Sequence, residues 1–451
     1  MSAWSFASVV YGSAWSTPEL WNLFADEPRT RRWLEILAVL AETQAEFGLI
    51  PAEAACEIAA TCRTLPLDAE FFAEWRDGYT ATNHSTAGMI AAVQRRCSAT
   101  AGEWLYYGAT VQDLTDTWLV LCLGDARALI EADLERAMAA AGALAEEHRS
   151  TVMSGRTHGQ QGLPITFGFK AAGWLDELRR HRQRLGAVGA RLCAGQLCGG
   201  VGSLSSLGPQ ALAVQERFLT RLGLRVPAIS WTASRDLIAE WGYVLALASA
   251  GAERIGQEIF NLQRDEIAEL REGTTGEAIG SITMPHKRNP ELSEHLGALA
   301  RVVRANAGAL TDALPHSHER DGRAWKLEWH AVPELTMAAG KAMSLQAVLL
   351  EGLEVRADRM RANVDLGSGF FASEALMLAL ARRTGKQTAH QIVHQLARAA
   401  REQGLPLEAV TLASEEVSGV LDRVQIEALF SLETNTGACA ALVDRVLGEG
   451  L

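Results

Sequence analysis

Ile130-Glu-Ala-Asp-Leu134-Glu-Arg-Ala137-Met-Ala-Ala-Ala141-Gly-Ala-Leu144 is the stretch whose reading decides the fold. Its apolar residues Ile130, Leu134, Ala137, Ala141 and Leu144 recur at alternating spacings of four and three. That period is a seam for packing long helices side by side. The same period runs over 165–192 through Phe167, Ala171, Trp174, Leu178, Leu185, Val188 and Leu192, and over 237–270 through Val244, Ile255, Ile259, Leu262 and Ile267. Two more helices are predicted, over 290–311 and 333–356. Period-two alternation is scarce, so strands should be few. The fold class read from this is all-α, a central bundle of long helices. Helices of about 25–35 residues are roughly 40–50 Å long and cannot bury such a seam alone. An elongated bundle within an oligomer follows, with a monomeric five-helix bundle as the alternative.

Composition bounds the function. Of 451 residues, 48% are hydrophobic and 21% charged, enough apolar material for a large core of more than one domain. The net charge is −12, with the acidic residues scattered. No basic stripe suited to nucleic acid is visible. The densest basic run, Arg179, Arg180, His181, Arg182 and Arg184, has Asp176 and Glu177 beside it and reads as a solvated helix face. Seven cysteines (Cys56, Cys62, Cys97, Cys122, Cys193, Cys198, Cys439) show no CxxC and no metal-ligand spacing. Six of them, lying among apolar or small residues, read as buried reduced thiols. The first residues do not follow the pattern of a signal peptide, and no run of about 18 apolar residues offers a membrane span. A cytoplasmic protein is expected.

Two segments break the helical period. Residues 195–209 are rich in Gly and Ser and must turn. Residues 273–290 are a loop too long to be idle in a helical protein. The second holds Gly280-Ser-Ile-Thr-Met-Pro-His-Lys-Arg-Asn-Pro290. Lys287 and Asn289 are fixed donors for a carboxylate, and the helix start at Pro290 adds its dipole. A serine such as Ser281 serves as a base only where its alkoxide is stabilised in this way. A bare Gly-Ser-x-x-Met-Pro would be a surface turn; the full run is too specific for that. A second segment, Gly155-Arg-Thr-His-Gly-Gln160, stands before a helix predicted to start near Pro164. Alone, its histidine would more often be structural. A third, Tyr107-Gly-Ala-Thr-Val-Gln-Asp-Leu-Thr-Asp-Thr117, opens the first long helix, and Asn83-His84-Ser85 precedes it.

Taken together, these segments resemble the fumarase/aspartase superfamily over nearly the whole chain. Residues 280–290 resemble its signature loop GSSxMPxKxNP, with Ile282 in place of the second serine. The resemblance implies that Ser281 is the base. It also implies that His158 acts as or relays the general acid, supported by Glu294, and that Lys287 holds a carboxylate. Thr157, Asn289, Thr110, Gln112, His84, Ser85, Met284, Arg320, Gln160 and Tyr106 fall on substrate-side positions. Tyr106 and Val111 depart from the residues usual there, histidine and serine. The implied architecture is an N-terminal helical domain (1–109), a central bundle (110–356, with the loop 273–290) and a C-terminal helical domain (357–451). The family implies a homotetramer with sites shared between subunits, and no metal or organic cofactor.

Within the superfamily the chain resembles the branch of adenylosuccinate lyase and 3-carboxy-cis,cis-muconate cycloisomerase. Ala14-Trp15 stands where the former carries Arg-Tyr, and Trp325 and Trp329 stand where it holds a nucleotide phosphate. An indole offers one N–H and an apolar face, a poor match for phosphate. The pattern HERxxxxWxxEW from His318 to Trp329, and Trp231 before Arg235-Asp236, resemble the cycloisomerases. Thr232 departs from the histidine usual there. The function implied is proton removal beside a carboxylate with β-elimination, or the reverse addition, on a small polycarboxylate. A cycloisomerase is the first reading. A C–N lyase releasing fumarate from an N-substituted aspartate is the second, and an inactive helical protein the remote third.

Overall fold

The computed structural model describes residues 6–273, 283–284 and 286–449. Five long helices dominate: Val111–Glu147, Phe167–Leu192, Asp236–Leu262, Glu291–Asp312 and Gly322–Glu351. The first, 37 residues, is about 55 Å long. Its seam is buried as the period demands, with Ile130, Ala137 and Ala141 at 0% exposure. The protein is all-α; the strands are short.

Several local expectations are corrected. Pro164 lies in a strand, Gln160–Thr166, and the helix starts at Phe167. The segment around His158 is a β-hairpin, Val152–Thr157 paired antiparallel with Gln160–Thr166. The third helix stops at Leu262, and the Gln-Arg-Asp-Glu run after it turns away. The fifth begins at Gly322 because Asp321 caps it, accepting from the Arg323 N–H at 2.9 Å. Pro333 therefore sits inside that helix, where it cannot donate to the Trp329 carbonyl. Of the basic run, Arg179 and His181 are buried, and Arg179 Nη1 donates to the Val446 carbonyl. All seven cysteines are free, but only four are buried; Cys97 and Cys193 are half-buried and Cys56 is exposed.

The chain forms two compact units. One comprises Met1–Asp133, His181–Ala250 and Ala298–Ser344; the other comprises Leu134–Arg180, Gly251–Gly297 and Leu345–Leu451. In the first, Asp26–Glu46 and Ala52–Thr64 pack on a core that includes Leu34, Ile58, Phe71, Met89 and Phe218. In the second, Ser373–Thr384 and Lys386–Gln403 enclose Leu376, Leu380, Ile392 and Leu407. Among the described residues no single helix is long and apolar enough to cross a membrane.

A buried charge network locks the first unit. Arg235 donates to Asp116 through Nη1 (2.8 Å) and Nη2 (3.0 Å), and to Glu328 through Nε (2.9 Å) and Nη2 (2.5 Å). The three side chains are 1–3% exposed. Burial alone would lower the Arg235 pKa, but the two carboxylates raise it and keep the guanidinium charged. Burial also raises the Glu328 pKa, against the pull of Arg235. Removing one member strands the others without compensation. Arg235→Met should therefore lower unfolding free energy by about 3–5 kcal/mol. Adding Asp116→Asn and Glu328→Gln should recover part of that loss. Urea unfolding of the single and triple variants checks both outcomes.

Candidate active site

The first unit gathers Tyr106, Thr110, Gln112 and Arg320. Asp113 organises the helix entrance here. Its carboxylate accepts from the backbone N–H groups of Thr110 (2.9 Å), Cys198 (2.7 Å) and Gly199 (3.1 Å), which fastens the Gly-rich loop to the first helical turn. Burial raises its pKa and those three donors pull it back. Arg320 Nη1 donates to Thr110 Oγ1 at 3.0 Å, while its Nε and Nη2 are buried without partners. The Tyr106 hydroxyl is also buried without a hydrogen bond of ordinary length. Tyr106 itself has a φ of 65°, a strained conformation for a tyrosine. Burial, then the field of Asp113, drives its phenol pKa upward against Arg320 and Thr86, so the hydroxyl stays protonated. Gln112 is fully buried, and its amide nitrogen is engaged by Asp116 (3.3 Å) and the Thr232 carbonyl (3.4 Å). His84 is exposed and Ser85 half-buried; the Ser85 carbonyl accepts from Trp75 Nε1 at 2.9 Å.

Sequence reasoning passed over His316. Both of its ring nitrogens are buried without partners. Burial, then Arg235, holds its pKa below the usual imidazole value, so it is neutral at neutral pH. It lies in a connection between two helices, where no period reports burial. The donors of Arg320 and Tyr106 thus stand ready for acceptors, as an anion-binding group requires.

The second unit carries the rest. His158 (φ 53°) and Gly159 (φ 73°) are the two turn residues of the hairpin, the left-handed pair that a tight two-residue turn needs. This places Thr157, His158 and Gln160 at an exposed tip. The hairpin base is held by Arg156, whose Nη1 and Nη2 reach the fully buried Glu269 at 2.8 and 2.6 Å. Three residues on, Glu272 accepts from the Leu292 N–H (3.0 Å), the Ser293 N–H (2.9 Å) and the Ser293 hydroxyl, capping the helix that starts at Glu291. The stretch 269–272 therefore anchors both the hairpin and the helix that follows the signature loop. Met284 and Lys287 are exposed and Asn289 half-buried; Asn289 Nδ2 donates to Glu291 at 3.3 Å. Glu294 is exposed in the first turn of that helix and, among the described residues, makes no hydrogen bond to His158 within one chain. Ser281, with Gly280, Ile282 and Pro285, lies outside the described residues. Among the described residues no group of three His, Cys, Asp or Glu side chains could hold a metal ion.

Comparison with known proteins shows the family. The family described as Lyase matches residues 14–305, and the adenylosuccinate lyase C-terminus matches residues 369–446. The N-acetyl-S-(2-succino)cysteine lyase of Dickeya dadantii is 36% identical over 98% of both chains. The adenylosuccinate lyase of Methanothermobacter thermautotrophicus is 37% identical over 96% of this chain and 97% of its own. The crystal structure of the 3-carboxy-cis,cis-muconate lactonizing enzyme from Pseudomonas putida superposes with a TM-score of 0.90 at 32% identity, covering 98% of this chain and 99% of that one. The chain belongs to the fumarase/aspartase superfamily and is an enzyme of its lyase and cycloisomerase kind.

The buried phenol makes one result predictable. In an alkaline titration followed by phenolate absorbance, Tyr106 should ionise only at strongly alkaline pH. Tyr106→Phe should remove only the most alkaline part of the curve. Loss of an ordinary, early-titrating phenol in that variant would refute the placement.

Proposed function

We propose that this chain catalyses β-elimination from a substituted succinate, releasing fumarate, with no metal or organic cofactor. The observation that carries the reading is the set of unspent donors on Arg320 and Tyr106 around Thr110. Buried N–H and O–H groups without acceptors are costly, and a substrate carboxylate satisfies them. The names of two relatives, N-acetyl-S-(2-succino)cysteine lyase and adenylosuccinate lyase, each carry a succinyl group on sulfur or nitrogen.

In the proposed reaction Ser281 takes the proton beside a carboxylate. Lys287 and Asn289, with Met284 in the same loop, hold the carboxylate that bears the developing charge. The electron pair forms the double bond as the bond to the leaving atom breaks. His158, oriented by Glu294, delivers the proton to that atom, and Thr157 and Gln160 flank it at the hairpin tip. Thr110, Gln112, Arg320, Tyr106, His84 and Ser85 hold the rest of the substrate. Cycloisomerisation, in which a substrate carboxylate adds across a double bond, is the second reading. The His318–Trp329 pattern and Trp231 favour it.

Proton NMR separates the two. One tube holds the protein with 3-carboxy-cis,cis-muconate, the other holds it with pooled N- and S-substituted succinates, adenylosuccinate included. Fumarate in the second with the first unchanged is the expected result; lactone in the first would establish the second reading instead. Ser281→Ala should reduce turnover of the responding substrate at least 10²-fold, and unchanged turnover would remove Ser281 from the mechanism.

The proposal includes a homotetramer with sites assembled from several copies, the three-part domain division 1–109, 110–356 and 357–451, and a cytoplasmic location. The exposure of His84, Thr157, His158, Met284 and Lys287 in the single chain supports completion by another copy. Light scattering should give four times the 48.7 kDa chain mass; a monomer would overturn it.

A further inference from the structure

The first unit contains a cavity of about 1110 Å³. Six of the chain's twelve tryptophans line it: Trp21, Trp33, Trp75, Trp118, Trp325 and Trp329. Their rings meet at angles, Trp33 with Trp75 at 5.7 Å, Trp33 with Trp118 at 6.0 Å and Trp325 edge-on to Trp329 at 4.7 Å. Flat aromatic faces of this kind suit another aromatic ring.

The wall also carries polar groups that nothing in the chain satisfies. Arg29 lies over the rings of Trp33 (5.3 Å) and Trp75 (5.6 Å) and binds Asp26 through Nη2 at 2.6 Å. Its Nε is buried without a partner. Trp33 is 6% exposed, and its Nε1–H is likewise buried without a partner. Both N–H groups are sealed from solvent, so an acceptor in the cavity reaches them only once the Trp33 and Arg29 side chains turn toward it. The same cavity is lined by Ser85 and by Asp116, the carboxylate that also engages Gln112. It therefore adjoins the substrate-side residues proposed above.

We propose that this cavity receives the leaving substituent of the substrate, and that the substituent is an aromatic amine bearing a carboxylate or carbonyl oxygen. The inference rests on the elimination reading. In an N-aryl aspartate the base takes a proton from the CH₂ carbon, and that electron pair becomes the C=C of fumarate. The C–N bond breaks, and the nitrogen takes one proton to leave as the free arylamine. The ring lies among the indoles, and its oxygen accepts from Trp33 Nε1 and Arg29 Nε.

The test uses the full chain and 4-aminobenzoate, with hexanoate as an aliphatic carboxylate of similar charge. Calorimetry and tryptophan fluorescence should show 4-aminobenzoate binding at least tenfold tighter than hexanoate. Trp329→Ala changes a residue that is 41% exposed, so the core is spared, and it should weaken that binding about tenfold. Trp33→Phe keeps a ring and removes the N–H, and it should weaken 4-aminobenzoate severalfold while leaving aniline binding unchanged. Equal affinity for the two acids, or binding indifferent to both variants, would overturn the assignment. So would Trp329→Ala breaking up the oligomer without affecting affinity, since the cavity would then be a subunit contact. Turnover of N-(4-carboxyphenyl)aspartate separates the two claims. Binding as expected with no fumarate from any substituted succinate overturns the elimination reading alone. Fumarate from other succinates with no 4-aminobenzoate binding overturns the subsite alone.

Discussion

The Arg235 guanidinium, held between Asp116 and Glu328, is the interaction on which the first unit depends. A buried cation survives only where carboxylates and hydrogen bonds replace its water. Here each carboxylate comes from a different long helix, Val111–Glu147 or Gly322–Glu351, and Arg235 immediately precedes a third, Asp236–Leu262. Trp231 stacks on the guanidinium at 4.8 Å, and Gln196 Nε2 adds a 2.9 Å donor to Asp116. The network therefore sets the positions of three helix starts at once. The residues around it follow. Thr117 exchanges hydrogen bonds with Gln196, and Asp113 holds Cys198 and Gly199, so two turns of one helix pin the Gly-rich loop. Thr110 is then fixed at the helix entrance, where Arg320 reaches it.

The second unit solves a related problem with two glutamates on one short stretch. Glu269 anchors the hairpin through Arg156 and also accepts from Asn363 Nδ2 at 2.8 Å. Glu272 caps the helix that starts at Glu291. A buried carboxylate binding several N–H groups is rigid as well as stable. His158 and the first turn of that helix are thereby tied to a common support, although 133 residues separate His158 from Glu291. Rigid support for exposed residues is what a site completed by other groups requires.

The long helices were legible because burial imposes a period, and the seam through Ile130 and Leu144 carries it without interruption. The ends were less legible. Pro333 suggested a helix start, but the Asp321 cap twelve residues earlier decided it, and a cap is a matter of one hydrogen bond. The hairpin at His158 was missed because its pattern is short and its turn uses His-Gly rather than the commoner Asn-Gly. Arg320, Thr110 and Tyr106 were named from motifs, and their meeting was not foreseen. His316 gave no signal at all, since burial of a loop residue leaves no trace in spacing.

By itself the sequence determined the all-α class and the superfamily, because helical period and motif identity are local properties of the chain. It also determined that tryptophans replace phosphate-binding residues, as side-chain chemistry is written position by position. Only the tertiary structure decided that Trp325 and Trp329 join Trp21, Trp33, Trp75 and Trp118 around one cavity, that Asp116 and Glu328 share Arg235, and that Arg320 and Tyr106 keep unspent donors beside Thr110. Those facts depend on which distant residues meet and on what water is excluded. Neither quantity is carried by spacing along the chain; both arise when the helices pack.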